Sequence, residues 1–374
     1  MKNSNHIVIA CSYLHVPGGY EKAMITTANL FSRKGWRVTL LVLDQYPGTY
    51  YPVDKGIPVV QEYLDFGITG KGNIISRKLR FINHLRQLKK TLQSLAPGYL
   101  ICSEYHFATA AVLCGAGKFT TIISWEHHHY GTQIRNRFWE LLFQYAYRKL
   151  DAVVCLNPDE QNYYRSINKN AVVIPNFIEA PVAGNMAIQQ HFDIISVTRF
   201  NRIKGIDLLM RTAKLVFSKK PDLRWKLIGY GEQKEELLAF IQKEGLQEKL
   251  IYQPADKQEL SEEYRAARLF VMTSRNECFP LVLLEAMSHG LPCLSFDCDT
   301  GPRHIIRSGY NGLLTTAEQP EPLANAILEL LDQPALIQQM SDHARTTAAS
   351  FTPDVVYKKW EALFLSYQQD PLGG

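Results

Sequence analysis

Short apolar runs alternate with longer amphipathic stretches along almost all of these 374 residues, and that alternation leaves few folds open. A short apolar run suits a strand covered on both faces, and a helix-length stretch between two such runs returns the chain so that the strands lie parallel. In the first half the strand candidates are His6–Cys11, Trp36–Leu43, Tyr99–Cys102, Thr120–Ser124, Ala152–Leu156 and Val172–Ile174. Helical stretches lie near 20–34, 74–96, 135–149 and 157–166. A second series starts at Phe192–Val197 and continues with Trp225–Ile228, Leu250–Tyr252, Leu269–Met272 and Pro292–Phe296. Its helices fall near 205–219, 233–243, 259–267, 281–289 and 320–332. The pattern predicts an α/β protein of two doubly wound domains, 1–176 and 192–352, facing one another. The segment 177–191, with Pro181 and Gly184-Asn185, reads as a linker, and a last helix within 353–374 is expected to pack back on the first domain. Such sheets bind ligands beyond the carboxyl ends of their strands, so a site is expected in the cleft between the domains.

Hydrophobic residues at 46% and charged residues at 21% exclude a disordered or fibrous chain. The apolar stretch Ile7–Cys11 is too short for a secretion signal, and no run approaches the roughly 18 apolar residues of a membrane span, so a cytoplasmic protein is expected. Seven cysteines without a paired C-x-x-C spacing argue against both a disulfide framework and a zinc site. Charge is unevenly divided: residues 1–176 hold 20 Lys+Arg against 11 Asp+Glu, a net of +9, and the remainder is at −4. A basic half is expected to meet something anionic: phospholipid, a lipid diphosphate or nucleic acid. No DNA- or RNA-binding motif appears, so nucleic acid is not expected as a partner.

Three constellations carry chemistry. Pro17-Gly18-Gly19-Tyr20-Glu21 follows the first strand and enters a helix; paired glycines permit close approach to a phosphate at the helix N-terminus, although a plain tight turn reads equally well. It lacks the G-x-G-x-x-G spacing of a dinucleotide site. Arg199 and Lys204-Gly205 stand at the junction of a strand and a helix, where two cations would neutralise a diphosphate. In Glu277-Cys278-Phe279-Pro280-Leu281-Val282-Leu283-Leu284-Glu285, the first carboxylate precedes an apolar helix and the second lies inside it. Carboxylates in these places suit sugar hydroxyls and a ribose diol, and the backbone amides of 278–281 face the same way.

Taken in order, Gly18-Gly19-x-Glu21, Arg199 with Lys204-Gly205, Glu277-x7-Glu285, Gly290-Leu291-Pro292 and Gly301-Pro302-Arg303 resemble the retaining GT-B glycosyltransferases of family GT4. The resemblance is dense over 192–332 and thinner over 6–176. It implies two Rossmann-like domains, with Arg199 and Lys204 on the donor diphosphate, Glu285 on the ribose and Glu277 on the transferred sugar. Gly18 and Gly19 would approach the phosphates, Cys278, Phe279, Pro280 and Leu281 would line the donor site, and the histidine of the sugar pocket would be His127, His128 or His129, with His127 preferred. His304 stands where the family often has an acid.

No cofactor is expected. Asp297-x-Asp299 mimics a metal motif, but Arg199 and Lys204 already supply positive charge, so metal-independent transfer is the reading. The implied activity is a hexosyltransferase-type transfer from a nucleotide-sugar donor, a UDP-sugar above others, to a lipid-linked or oligosaccharide acceptor in polysaccharide or lipopolysaccharide synthesis. A nucleotide-sugar epimerase of the same fold and a non-catalytic sugar-nucleotide sensor are the alternatives. On the acceptor side, apolar residues at 74, 81, 85, 88, 92 and 95 form a helical stripe, with Arg77, Lys78, Arg80, Arg86, Lys89 and Lys90 beside or opposite it. Basic residues of 135–149 interleave with Phe138, Trp139, Phe143, Tyr145 and Tyr147. Two core-facing helices with solvated rims explain this; so does a patch for an anionic membrane surface, which would make the protein peripheral on the inner face of the membrane.

Overall fold

The computed structural model describes residues 5–66, 73–132, 135–179, 191–255 and 260–368. The chain divides into two units, one running to Pro175 and resuming at Val356, the other Asn176–Val355. Most of the linker expected at 177–191 lies outside the described residues.

In the first unit the strands are β1 (His6–Cys11), β2 (Arg37–Val42), β3 (Val59–Gln61), β4 (Tyr99–Cys102), β5 (Thr121–Glu126), β6 (Ala152–Cys155) and β7 (Ala171–Val173). They form one parallel sheet in the order β3-β2-β1-β4-β5-β6-β7. Every residue of β1, β4, β5 and β6 is buried, as strands covered by helices on both faces require. The helices are α1 (Gly19–Arg33), α2 (Ile74–Leu95), α3 (Tyr105–Leu113), α4 (Arg137–Tyr147) and α5 (Pro158–Arg165). Asn73, Asn136 and Asn157 cap α2, α4 and α5, each side chain accepting from an amide in the first turn. Leu88 and Leu92 of α2 are buried, with Phe81, Leu85 and Leu95 packed partly against the same core.

The second unit has β8 (Ile194–Arg199), β9 (Trp225–Tyr230), β10 (Leu250–Pro254), β11 (Leu269–Met272), β12 (Asn276–Glu277), β13 (Cys293–Phe296), β14 (Asp299–Thr300) and β15 (Gly312–Thr315). Six of these make a parallel sheet, β10-β9-β8-β11-β13-β15, and β12 pairs with β14. The helices are α6 (Ile206–Lys219), α7 (Lys234–Lys243), α8 (Ser261–Arg265), α9 (Leu281–Ser288), α10 (Pro320–Leu331) and α11 (Pro334–Ala349). The last helix, α12 (Pro353–Gln368), starts in this unit and joins the first from Val356.

The structure adds elements that periodicity did not reveal. Helix α3 carries only His106 and Thr109 as polar side chains besides Tyr105, and its centre, Phe107–Ala111, is buried, so no broad polar face marks it as a helix. Strands β3 and β15 are short, and β5 runs two residues past Ser124 to Glu126.

Helix α12 is held by aromatic packing. Trp360 is fully buried, edge-on to Phe31 at 5.6 Å and to Trp125 at 5.4 Å between ring centroids, and the Tyr99 hydroxyl donates to the Phe364 carbonyl at 3.0 Å. Trp360→Ala is therefore expected to destabilise the protein by roughly 3–5 kcal/mol. A urea midpoint unchanged from wild type would show that α12 is dispensable to the first unit.

Candidate active site

A doubly wound sheet opens a crevice where successive chain segments depart to opposite sides. In the second sheet that point lies between β8 and β11. Arg199 ends β8; its Nε and terminal nitrogen donate to the Tyr230 hydroxyl at 3.2 and 2.8 Å. The loop beyond it turns at Gly205, whose φ of +68° is left-handed and where a Cβ would stand 2.0 Å from the Thr273 carbonyl oxygen. Only glycine permits this approach of the loop after β8 to the loop after β11. Thr273 Oγ1 donates to the Gly205 carbonyl at 3.1 Å, and Arg275 donates to both Asp207 oxygens at 2.7 Å and to the Arg202 carbonyl at 2.8 Å. The hydrogen bonds from Arg275 hold the Asp207 carboxyl below its ordinary range.

The bound loop delivers Lys204, whose Nζ donates to Glu277 Oε1 at 2.6 Å; Ser274 Oγ donates to the same oxygen at 2.7 Å. An ammonium has three donors, so Lys204 can hold Glu277 and still reach a phosphate oxygen. Cys278, Phe279, Pro280 and Leu281 are buried as they enter α9, with Pro280 as its N-cap. Glu285 lies one turn inside α9 and accepts from the Tyr264 hydroxyl at 3.3 Å.

In the first sheet the corresponding point lies between β1 and β4. Gly18 precedes α1, and a Cβ there would fall 2.2 Å from Glu21 Oε2, so glycine at this position makes room for a buried carboxylate of the chain itself. Ser12, just past β1, donates from Oγ to Glu104 Oε1 at 2.6 Å across the crevice, and His106 Nδ1 lies 3.7 Å from Oε2. Burial pushes the Glu104 carboxyl up, but the contacts with His106 and Ser12 and the nearby charge of His128 outweigh it and leave it below its ordinary range. Sequence reasoning missed Glu104; the polar pair Ser103-Glu104 ending an apolar strand was the available signal.

The three consecutive histidines enter three environments. His129 turns inward, its Nδ1 2.5 Å from Glu160 Oε1. His128 is exposed and stacks on Tyr20 at 6.2 Å. His127 meets Tyr20 edge-on at 5.4 Å and Trp125 at 4.3 Å, and its buried Nε2 has no hydrogen-bond partner among the described residues. Glu126, just before them, is buried and accepts hydrogen bonds from Ser124, Tyr147 and Tyr164.

Two family patterns match, Glycosyltransferase Family 4 over residues 17–180 and Glycosyl transferases group 1 over 185–347. The chain belongs to the family 4, group 1 glycosyltransferases. It is 28% identical over 360 residues to the amylovoran biosynthesis glycosyltransferase AmsD of Erwinia amylovora, covering 92% of this chain and 95% of that protein. It is 27% identical over 266 residues to the lipopolysaccharide 1,6-galactosyltransferase of Salmonella typhimurium, covering 65% and 68%. Among solved structures, S. aureus TarM in complex with fondaparinux, alpha-GlcNAc-glycerol and UDP superposes with a TM-score of 0.79 at 16% identity, over 96% of this chain and 99% of that one. The fold is thus the GT-B type, built from two Rossmann-like α/β domains.

In this glycosyltransferase burial, aided by the charge of His128, holds the His127 imidazole well below its ordinary 6.5. The folded protein keeps it neutral, whereas the unfolded chain takes up a proton as the pH falls through 6.5. Its contribution to stability is therefore complete above about pH 7 and is lost on acidification, by at most about 1.4 kcal/mol per pH unit. Urea midpoints at neutral and mildly acidic pH should fall more in wild type than in His127→Asn. Equal falls would mean that His127 titrates as it does in solution.

Proposed function

We propose that the enzyme is a retaining hexosyltransferase that moves a sugar from a UDP-sugar to a lipid-linked or glycan acceptor in cell-surface polysaccharide or lipopolysaccharide synthesis. The observation that carries this reading is the Lys204–Glu277 contact at 2.6 Å beside the crevice of the second sheet, which sets a cation for a diphosphate next to a carboxylate for sugar hydroxyls. The UDP held by TarM and the galactosyl transfer named for the Salmonella relative support the donor class.

In this proposal Arg199 and Lys204 meet the diphosphate, Glu285 the ribose and Glu277 the transferred sugar, with the amides of Cys278, Phe279 and Leu281 nearby. The roles that the family pattern gives Gly18 and Gly19, toward phosphate, and His127, toward the sugar, belong to it as well. As the bond from C1 to the diphosphate breaks, negative charge gathers on the leaving oxygen and the two cations stabilise it. The acceptor oxygen bonds to C1 from the face the diphosphate leaves, its proton passes to the departing phosphate oxygen, and the configuration at C1 is retained. Arg199 and Lys204 fill the place of a metal ion; Asp297 of the Asp297-x-Asp299 motif pairs with Arg303 at 2.9 Å. Glu104 is the candidate acceptor-side residue, a carboxylate able to take a hydrogen bond from an acceptor hydroxyl. The enzyme is further read as peripheral on the inner face of the membrane, supported by the +9 net charge of residues 1–176; no helix among the described residues is long and apolar enough to cross a membrane.

Nucleotide release from a donor panel, with lipid-linked and oligosaccharide acceptors and with chelator present, tests the activity. Lys204→Ala and Arg199→Ala should each lower turnover by an amount worth roughly 2.7–4 kcal/mol, as for loss of one donor to a developing oxyanion. Turnover within a few-fold of wild type for both would remove them from the donor site, and loss in chelator restored by manganese would return Asp297 and Asp299 as ligands.

The two carboxylates of the crevices should separate in binding. Glu285→Gln is expected to weaken UDP in calorimetry, because an amide loses the charge that strengthens both ribose contacts. Glu104→Gln should leave UDP affinity unchanged and raise the KM for acceptor; a weakened UDP affinity would place Glu104 on the donor instead.

A further inference from the structure

Scattered apolar side chains on a surface are ordinary, but here they are ordered. On α2, Ile75 is 71% and Leu79 57% exposed, and Ile82 follows as a third; on α4, Phe138 is 59% and Leu141 72% exposed, with Tyr145 beyond them. Spacings of four and three residues put each trio on a single helix face. The core-facing side of α2 is a different one, set by Leu88 and Leu92 with Phe81 and Leu85. A helix that buries one face against a core needs one apolar stripe, and α2 carries two.

The two exposed stripes belong together. Phe81 of α2 lies edge-on to Trp139 of α4, 5.8 Å between centroids, so the helices meet near their N-terminal ends. Those ends lie at the carboxyl edge of the first sheet, because the far end of α2 sits at the start of β1, where His6 Nδ1 is 2.9 Å from the Leu95 carbonyl. The stripes therefore begin at the edge that carries Ser12 and Glu104.

Charge selects the occupant. Helix α2 has six Lys and Arg and no Asp or Glu. Exposed Arg86, Lys89 and Lys90 continue the face that Ile75, Leu79 and Ile82 begin. Exposed Arg137, Arg148 and Lys149 flank the stripe of α4, whose single acid, Glu140, takes Arg135 at 3.3 Å. Such cationic faces repel one another, which opposes a second copy of this chain, and apolar side chains rimmed by cations match the interface of an anionic bilayer.

We infer that the adjoining faces of α2 and α4 dock on an anionic lipid bilayer, with Ile75, Leu79, Phe138 and Leu141 entering the interface and Arg86, Lys89 and Lys90 meeting its headgroups. This rests on the peripheral reading above and gives it a surface: the docking face runs along α2 and reaches the acceptor-side edge of the first sheet, beside the membrane that would hold a lipid-linked acceptor.

Co-sedimentation with vesicles of equal parts phosphatidylcholine and phosphatidylglycerol, against pure phosphatidylcholine, tests it. Wild type should prefer the anionic vesicles and lose affinity with added salt. Leu79→Ser with Leu141→Ser should lower anionic binding by about tenfold or more, the loss expected for two leucines that no longer leave water. Arg86→Ser, Lys89→Ser and Lys90→Ser together should lower it and flatten its salt dependence. Both variants should keep the wild-type melting temperature and UDP affinity. Wild type that ignores anionic vesicles at low salt overturns the peripheral reading itself. Wild type that binds while the leucine variant binds equally well overturns this face alone, and a wild-type dimer dissolved by the leucine substitutions assigns the face to a second copy.

Discussion

A parallel strand covered on both faces has no place for a charge along its length, because a buried ion must be paired or hydrogen-bonded. The polar chemistry of this chain is accordingly displaced to the loops where its strands end. Arg199 closes β8, and Glu277 follows β11. Ser12, Glu104 and His127 stand just past β1, β4 and β5. An instructive exception is Glu126, the last residue of β5, which is buried inside the sheet layer and satisfied by the hydroxyls of Ser124, Tyr147 and Tyr164.

Once charges sit on loops, something must stop the loops from wandering. In the second unit a left-handed Gly205 packs so closely on Thr273 that no other residue fits, and Arg275 grips Asp207 and the Arg202 carbonyl from the neighbouring loop. The contact between Lys204 and Glu277 is thus prepared by neutral close packing and by an ion pair that lies outside it. Preorganisation of this kind lets a cation await a charge that develops during reaction without a reorganisation cost at that moment. In the first unit the equivalent restraint is lighter: Ser12 and Tyr20 tie the loop after β1 to Glu104 and Ser103.

Much of the fold was legible because period and length are local properties. Strands β1, β4 and β11 fall on the residues their apolar runs indicate, and α2 spans Ile74–Leu95 within one residue of the periodic stretch. Helix α3 was not legible, since a short helix with a buried centre shows too little of the polar face that betrays its period. Glu104 was missed for another reason: one glutamate after a strand has no spacing signature, and only its meeting with Ser12, 92 residues earlier, sets it apart.

The sequence by itself determined the two α/β series, the family and the placement of Arg199, Lys204 and Glu277 at the ends of strands, because apolar period and motif order need no knowledge of what packs where. Only the tertiary structure decided how three adjacent histidines divide, one to Glu160, one to solvent and one to an aromatic pocket, since neighbouring side chains point apart and their partners come from distant elements. It also decided that α2 has a second apolar face. The stripe of Leu88 and Leu92 is a matter of period, whereas the exposure of Ile75 and Leu79 depends on what packs beside α2.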